Sequence, residues 1–280
     1  MTGKKRTVSL VVLTCGAPTV TARCLRSVAA LRGVQLQLIV VNNGGGCSVG
    51  TAVESFAHRW RDHLADIQIL TNDHNVGACS GRNQALERAD GRWVAFLDND
   101  IVWQDPEWLT GAVGLLDADP KVGILGPRLL EGRDPSRLEC AGYAVSPRGR
   151  FVALGCGARR EERVWTVRRS VQGVGNFVTR KKTMRAIGGF DTAFDPFGFE
   201  NIDCCYRVKQ LGLGVVCDGQ ADLHHCGHMT TSGFENGGKT VLLEKSLLLR
   251  RRWSSAFAQE ERLYGQLTHI SPLSCSSESS

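Results

Sequence analysis

The sequence predicts an α/β protein built on a Rossmann-like, mostly parallel sheet flanked by helices. Three observations lead there. Over the first hundred residues, short apolar runs rich in β-branched side chains alternate with stretches of helical periodicity, the rhythm of a parallel, doubly wound sheet. Those runs are apolar throughout, as expected of strands covered on both faces. The fourth run stops at two carboxylates, Asp98 and Asp100, and open α/β sheets bind ligands in the crevice beyond the carboxyl ends of their strands.

Val8 to Leu13 reads as a buried first strand. Apolar residues then recur at helical spacing (Val20, Cys24, Val28, Leu31) up to Gly33. Leu36 to Val41 forms the second strand, cut off by Asn42, Asn43 and three glycines. A helix is expected over roughly 49–64, a third strand over Ile67 to Leu70, a helix near Ser80 to Ala89, and a fourth strand from Trp93 to Leu97. Beyond the acidic pair, Pro106 to Leu116 has a helical pattern and Val122 to Pro127 resembles a strand. Residues 131–172 are rich in Gly, Arg and Glu, with Tyr143 to Val145 and Phe151 to Leu154 as candidate hairpin strands. An ordered block from Gly173 to about Trp253 follows, and the serine-rich tail 271–280 is expected to be disordered. There is no internal repeat.

A chain of 280 residues with 42% apolar and 22% charged content is ordinary for a globular protein. Its net charge of +6 gathers at Arg159-Arg160, Arg168-Arg169, Arg180 to Lys182 and Arg250 to Arg252. No basic run is long enough, or interleaved with aromatics, to indicate nucleic acid. A small anionic ligand suits that balance, as does a solvated basic surface. The eleven cysteines are odd in number and lack a CxxC pair, so they read as reduced, small hydrophobes and the expected location is cytoplasmic. No apolar stretch reaches the ~18 residues of a membrane span, so no transmembrane segment is expected.

The chemistry gathers in a few segments. Asp98-Asn99-Asp100 is ordinary turn material, but at a strand end it also suits a hard divalent cation, which takes one or two carboxylates plus substrate phosphates. Asn42 and Asn43 offer carboxamides that suit a base edge. Asn75, Gly77 and Arg82 lie at a helix start, where a diphosphate or base contact competes with plain surface exposure. Gly175 and Asn176 fall in a stretch of small residues where the backbone could approach a ligand. After Phe199, the acids Glu200 and Asp203 stand three apart on one helix face. Either could accept a proton from a nucleophile, or simply cap the helix. Three of the seven histidines crowd into His224 to His228, which favours metal or phosphate contact, although the nearby cysteines fit no tetrahedral zinc pattern.

Taken in order, these motifs resemble the family-2 glycosyltransferases, with their GT-A fold. The likeness runs from Val8 to about residue 232. The segment Val8 to Thr14 is similar to the family's opening strand, Val40 to Gly44 to its base-binding turn, and Asn75 to Asn83 to its nucleotide-side segment. Asp98-Asn99-Asp100 looks like its DxD motif, and Gly189 to Asp191 with Glu200 to Arg207 like its acceptor-side block. The resemblance implies a nucleotide-sugar donor, UDP-linked by preference, held by Thr14, Asn42, Asn43, Asn75, Gly77, Arg82, Asp98 and Asn99. It implies Mn²⁺ or Mg²⁺ bridging the diphosphate to Asp100, with His224 and His228 as further candidate ligands. Gly175, Asn176 and Phe199 fall on the acceptor side, where a small molecule, peptide or saccharide would bind. One domain over 1–270 is expected, with a nucleotide-sugar half (1–105) and an acceptor half (106–270).

Two departures bear on mechanism. Asn42 stands where the family's turn carries its first carboxylate. Asn201 stands where inverting members carry the aspartate base, and asparagine cannot take a proton, so Glu200, then Asp203, is expected to serve instead. The same block also resembles that of the retaining polypeptide N-acetylgalactosaminyltransferases, which leaves stereochemistry open. A non-catalytic sugar-nucleotide-binding subunit is the alternative that Asn201 keeps alive. A nucleotidyltransferase would want a lysine in the loop after the first strand, and a dinucleotide oxidoreductase would want GxGxxG there.

Overall fold

A computed structural model describes residues 7–61, 64–226 and 237–270. The first half is a succession of strand–helix units: β1 (Thr7–Thr14), α1 (Pro18–Ala29), β2 (Gln35–Asn43), α2 (Gly46–Trp60), β3 (Asp66–Asn72), α3 (Ala78–Arg88) and β4 (Trp93–Asp98). Strands β3, β2, β1 and β4 lie side by side and parallel. The apolar runs cause this layering. On β1, Leu10 and Val12 point into one core and Val11 into the other, so both faces need a covering layer. Pro18 opens α1, where its missing N–H costs nothing.

The second half is built differently. It comprises β5 (Ile101–Trp103), α4 (Trp108–Ala118), β6 (Val122–Leu130), β7 (Leu138–Cys140), β8 (Tyr143–Val145), β9 (Phe151–Ala153), β10 (Arg169–Ser170), β11 (Phe177–Arg180), α5 (Lys181–Ala186), α6 (Glu200–Gln210), β12 (Gly214–His225), α7 (Gly237–Gln259) and α8 (Glu261–His269). The sheet continues past β4 as β11, β6, β12 and β10, with β11 antiparallel to both neighbours. Short β5 and β7 add antiparallel edges to β12 and β6, and β8–β9 is the hairpin expected from sequence.

Several elements lie beyond the sequence reading. β6 runs on through Pro127 to Leu130, where its pairing with β12 is irregular between Asp218 and Asp222. Order does not stop near Trp253, because α7 buries Leu249, Trp253 and Phe257 along one stripe and leads into α8. No helix among the described residues is long and apolar enough to cross a membrane. The tail 271–280 and His228 lie outside the described residues.

Candidate active site

Because β1, β2 and β4 run parallel, Thr14, Asn43 and Asp98 all finish on the same side of the sheet. There Asn43 and Asp98 border a cleft of about 440 Å³. Its opposite wall is the start of α6 together with Tyr143, Phe151, Phe197 and Leu242.

Arg82 organises the polar end. The residue is only 4% exposed, and its Nη2 donates to Asp98 Oδ1 (2.6 Å) while Nη1 donates to Glu200 Oε1 (2.8 Å). The guanidinium also lies over the Phe190 ring, 5.4 Å from its centroid. Burial disfavours its charge, but the two carboxylates outweigh this and push its pKa up. Asp98 is fixed from the other side by Asn176, which accepts the Asp98 N–H at 2.8 Å. Asn176 therefore serves the acid turn and is absent from the cleft lining, whereas Gly175 does line it. Glu200 Oε2 accepts the Gly198 N–H at 2.8 Å, so both oxygens of the expected base are engaged.

The rest of the acid turn splits in two. Asn99 donates to Thr14 Oγ1 (3.2 Å) and Thr21 Oγ1 (2.9 Å), pinning the turn to α1. Thr14 is thereby a buried anchor behind the cleft rather than part of its surface. Asp100 Oδ2 lies 3.2 Å from His225 Nε2, and His225 Nδ1 lies 2.7 Å from Glu139 Oε2. Burial of the ring works against protonation, yet the hydrogen bonds to Asp100 and Glu139 overcome it and push the His225 pKa up to about 10.

This changes the histidine expected at the acid turn. Neighbouring residues of a strand point to opposite faces, and the pairing of His225 with Ile101 turns His225 towards Asp100. His224 faces away, with Nε2 3.2 Å from the Gly132 carbonyl. The alternation was available in the sequence, but only once β12 is known to extend to residue 225. Glu139, from the loop-rich middle of the chain, carried no such signal.

At the end of β2, Asn43 is saturated. It donates to Asn75 Oδ1 (2.9 Å) and the Gly77 carbonyl (3.1 Å), and accepts from Asn72 and Val76. Asn42 closes its own loop by accepting the Gly45 N–H and does not line the cleft. Asn75 does line it, beside Cys15. Gly77 opens α3 at φ +99°, and a Cβ there would collide with Asp195. That carboxylate caps α3 in place of a local residue, accepting from Cys79 N (2.7 Å) and Ser80 Oγ (2.6 Å).

At the other end, Phe199 enters α6 at φ +65° and packs on Phe151 with ring centroids 4.9 Å apart. Asn201 lines the cleft beside them. Asp203 does not, which corrects its expected place in catalysis. It is fully buried beneath the wall, bound to Arg207 Nε (2.7 Å), Arg252 Nη1 (2.8 Å) and Trp253 Nε1 (2.9 Å). Reaching an acceptor would leave those donors without their acceptor.

Comparison with known proteins places these features. The model of glycosyl transferase family 2 matches residues 9–143. A pre-mycofactocin glycosyltransferase of Mycobacterium tuberculosis is 30% identical over 191 residues, 67% of this chain and 36% of that protein. The O-antigen biosynthesis protein RfbC of Myxococcus xanthus is 28% identical over 208 residues, 70% of this chain and 15% of its own length. The chain thus spans about a third or less of these curated relatives. Among solved structures, a mannosyltransferase from Pyrobaculum calidifontis in complex with GDP-Man and Mn²⁺ superposes with a TM-score of 0.65 at 16% identity, covering 93% of this chain and 70% of that one. GalNAc-T7 with UDP, GalNAc and Mn²⁺ gives 0.66 at 15% identity, covering 80% and 44%.

Proposed function

The chain belongs to glycosyl transferase family 2, and from that premise we propose that its cleft moves a sugar from a nucleotide-diphosphate donor to an acceptor. The observation that carries this reading is the meeting of the acid turn with the Arg82–Glu200 pair at the carboxyl ends of parallel strands. Asn43, Asn75 and Ala78 border the nucleotide end, with UDP as the first nucleotide to test, while Gly77 sits behind them against Asp195. Phe151 and Phe199 offer the acceptor, a small molecule, peptide or saccharide, an apolar face to pack on. A cytoplasmic location, read from cysteine usage, belongs to the same proposal.

The donor set suits Mn²⁺ or Mg²⁺. Asp100 Oδ2 and His225 Nε2 are 3.2 Å apart, and both residues line the cleft. Asp100 would hold the ion, and His225 would join it on giving up the proton that its two carboxylate partners keep on the ring, with Glu139 fixing the ring's orientation through its other nitrogen. When bound, such an ion supplies Lewis-acid neutralisation of the departing diphosphate. The residues of the chain do the rest. Arg82 keeps Asp98 in place, the α6 wall positions the acceptor, and the aromatic end keeps water from competing for the sugar.

A retaining outcome is favoured by a specific observation. Glu200 spends one oxygen on Arg82 and the other on the Gly198 N–H, and Asn201 cannot take a proton, so Glu200 acts as a positioning residue. The reading is tested by titrating UDP and GDP calorimetrically with and without Mn²⁺. Heat for neither nucleotide sinks it. The anomer of any transfer product, read by NMR, decides the stereochemistry.

A further inference from the structure

A single dipeptide closes the start of α3. Ala78 N–H donates to the Pro196 carbonyl at 2.8 Å, and Cys79 N–H to Asp195 Oδ1 at 2.7 Å. Ser80 meets Asp195 Oδ2 through its N–H (3.3 Å) and its hydroxyl (2.6 Å). The first N–H groups of a helix have no partner within it, and a side chain just ahead of the helix commonly serves them. Gly77 holds that place here and has no side chain to offer. The two segments meet twice more along the helix. Arg82 binds Glu200, and the Asn83 carboxamide exchanges hydrogen bonds with the N–H and carbonyl of Phe190. Helix α3 thus carries the 190–200 turn along its length. Both parts reach the cleft, Asn75 and Ala78 at one end, Pro196, Phe197 and Phe199 at the other.

We propose that Asp195 is a positioning residue that couples the nucleotide end of the cleft to the acceptor wall, an inference that rests on the glycosyltransferase reading for the identity of the two ligands. Asp195 itself does not line the cleft, so its influence passes through its neighbours. A ligand that draws Asn75 to Ala78 into place carries the N–H groups of 78–80 with them, and those groups hold Asp195 and Pro196. The wall from Phe197 to Asn201 follows directly in the chain. Arg82 fixes this turn only at Glu200; Asp195 fixes the end from which Phe197 hangs. Bound nucleotide therefore orders the wall before the acceptor arrives. Coupling of this kind is reciprocal, so an occupied wall tightens nucleotide binding by the same factor.

Hydrogen exchange of the full chain, read by mass spectrometry with and without UDP or GDP plus Mn²⁺, tests the link. In wild type, nucleotide should slow exchange at residues 75–78 and also at 197–201, the latter by about tenfold, within the usual range of coupling between sites. Asp195→Ala should keep calorimetric nucleotide binding and the slowing at 75–78, and lose the nucleotide-dependent slowing at 197–201. Asp195→Asn keeps an oxygen for the Cys79 N–H and should restore part of it. Should the alanine variant misfold, Ser80→Ala removes only the hydroxyl bond and is expected to give a smaller drop of the same kind. A merely structural cap would speed exchange at 197–201 equally with and without nucleotide in these variants. That result overturns the proposal, as does wild-type slowing confined to 75–78. Nucleotide that binds without reaching the wall thus removes the coupling alone, whereas heat for neither UDP nor GDP withdraws the transferase reading and the coupling together.

Discussion

Glu200 and Asp203 stand three residues apart on α6, each a buried carboxylate held by arginine, yet one faces the cleft and the other the C-terminal helices. Glu200 shares Arg82 with Asp98, so its network lies within the wall that a ligand touches. Asp203 is held by Arg207 and Arg252, and Arg252 also binds Asp191, which latches α6 and the turn before it to α7. Buried charge is tolerated only when paired, and both networks meet that condition. What separates them is depth. Glu200 is the first residue of its helix, and a turn further on the side chain is already below the cleft floor. One network therefore borders the cleft, and the other braces the wall from behind.

The sharpest way to break this contrast is to remove the latch. Asp203→Ala should cost about 3 kcal/mol of stability, because Arg207 and Trp253 lose their buried acceptor and the more exposed Arg252 loses its partner, while kcat and KM of the folded fraction stay within a few-fold. Denaturant unfolding alongside kinetics checks both; an unchanged stability would dissolve the distinction. Asp100→Ala should do the reverse, costing less stability because Glu139 still holds His225, but lowering Mn²⁺-supported nucleoside diphosphate affinity by about a hundredfold, near 2.8 kcal/mol. Chelation of wild type should reproduce that loss in calorimetry. Glu200→Gln keeps the volume and an oxygen for Arg82, so a turnover loss of about 10 to 10² is expected from misplacement alone, with donor affinity retained. A full loss of turnover rescued by azide, with product of inverted anomer, would restore Glu200 as the base.

The smallest effect is acid sensitivity of the latch. Burial works against the Asp191 charge, but the Ala193 N–H and Arg252 prevail and hold its carboxyl below the usual range. A carboxyl depressed in the folded state adds stability above its unfolded pKa, about 3.9, and loses it as pH falls through the folded value. The melting temperature of wild type should therefore fall more steeply below that pH than that of Arg252→Gln. Parallel slopes would remove Asp191 from the latch.

The strand–helix alternation of the first hundred residues was legible because each unit is local, apolar runs and helical periods following one another along the chain. The acid turn was legible for the same reason, since Asp98 ends a strand whose pattern is plain. What escaped was non-local. β11 is four residues long and owes its strand state to β4 and β6 on either side. The choice of His225 over His224 depends on a register with β5. The placement of Asp203 depends on helices about fifty residues further along. Spacing put both acids on one face of α6; only the packing of α7 decided which of them a ligand could meet.

The capping of α3 by Asp195 has a temporal consequence. The N–H groups of Cys79 and Ser80 are satisfied by a carboxylate about 115 residues downstream. During synthesis at roughly 5–20 residues per second, that gap amounts to on the order of ten seconds. For most of that interval β1 to β4 are all synthesised, while the start of α3 still lacks its partner. The early half is thus synthesised ahead of its own keystone, and the ribosome delivers that keystone with the acceptor wall.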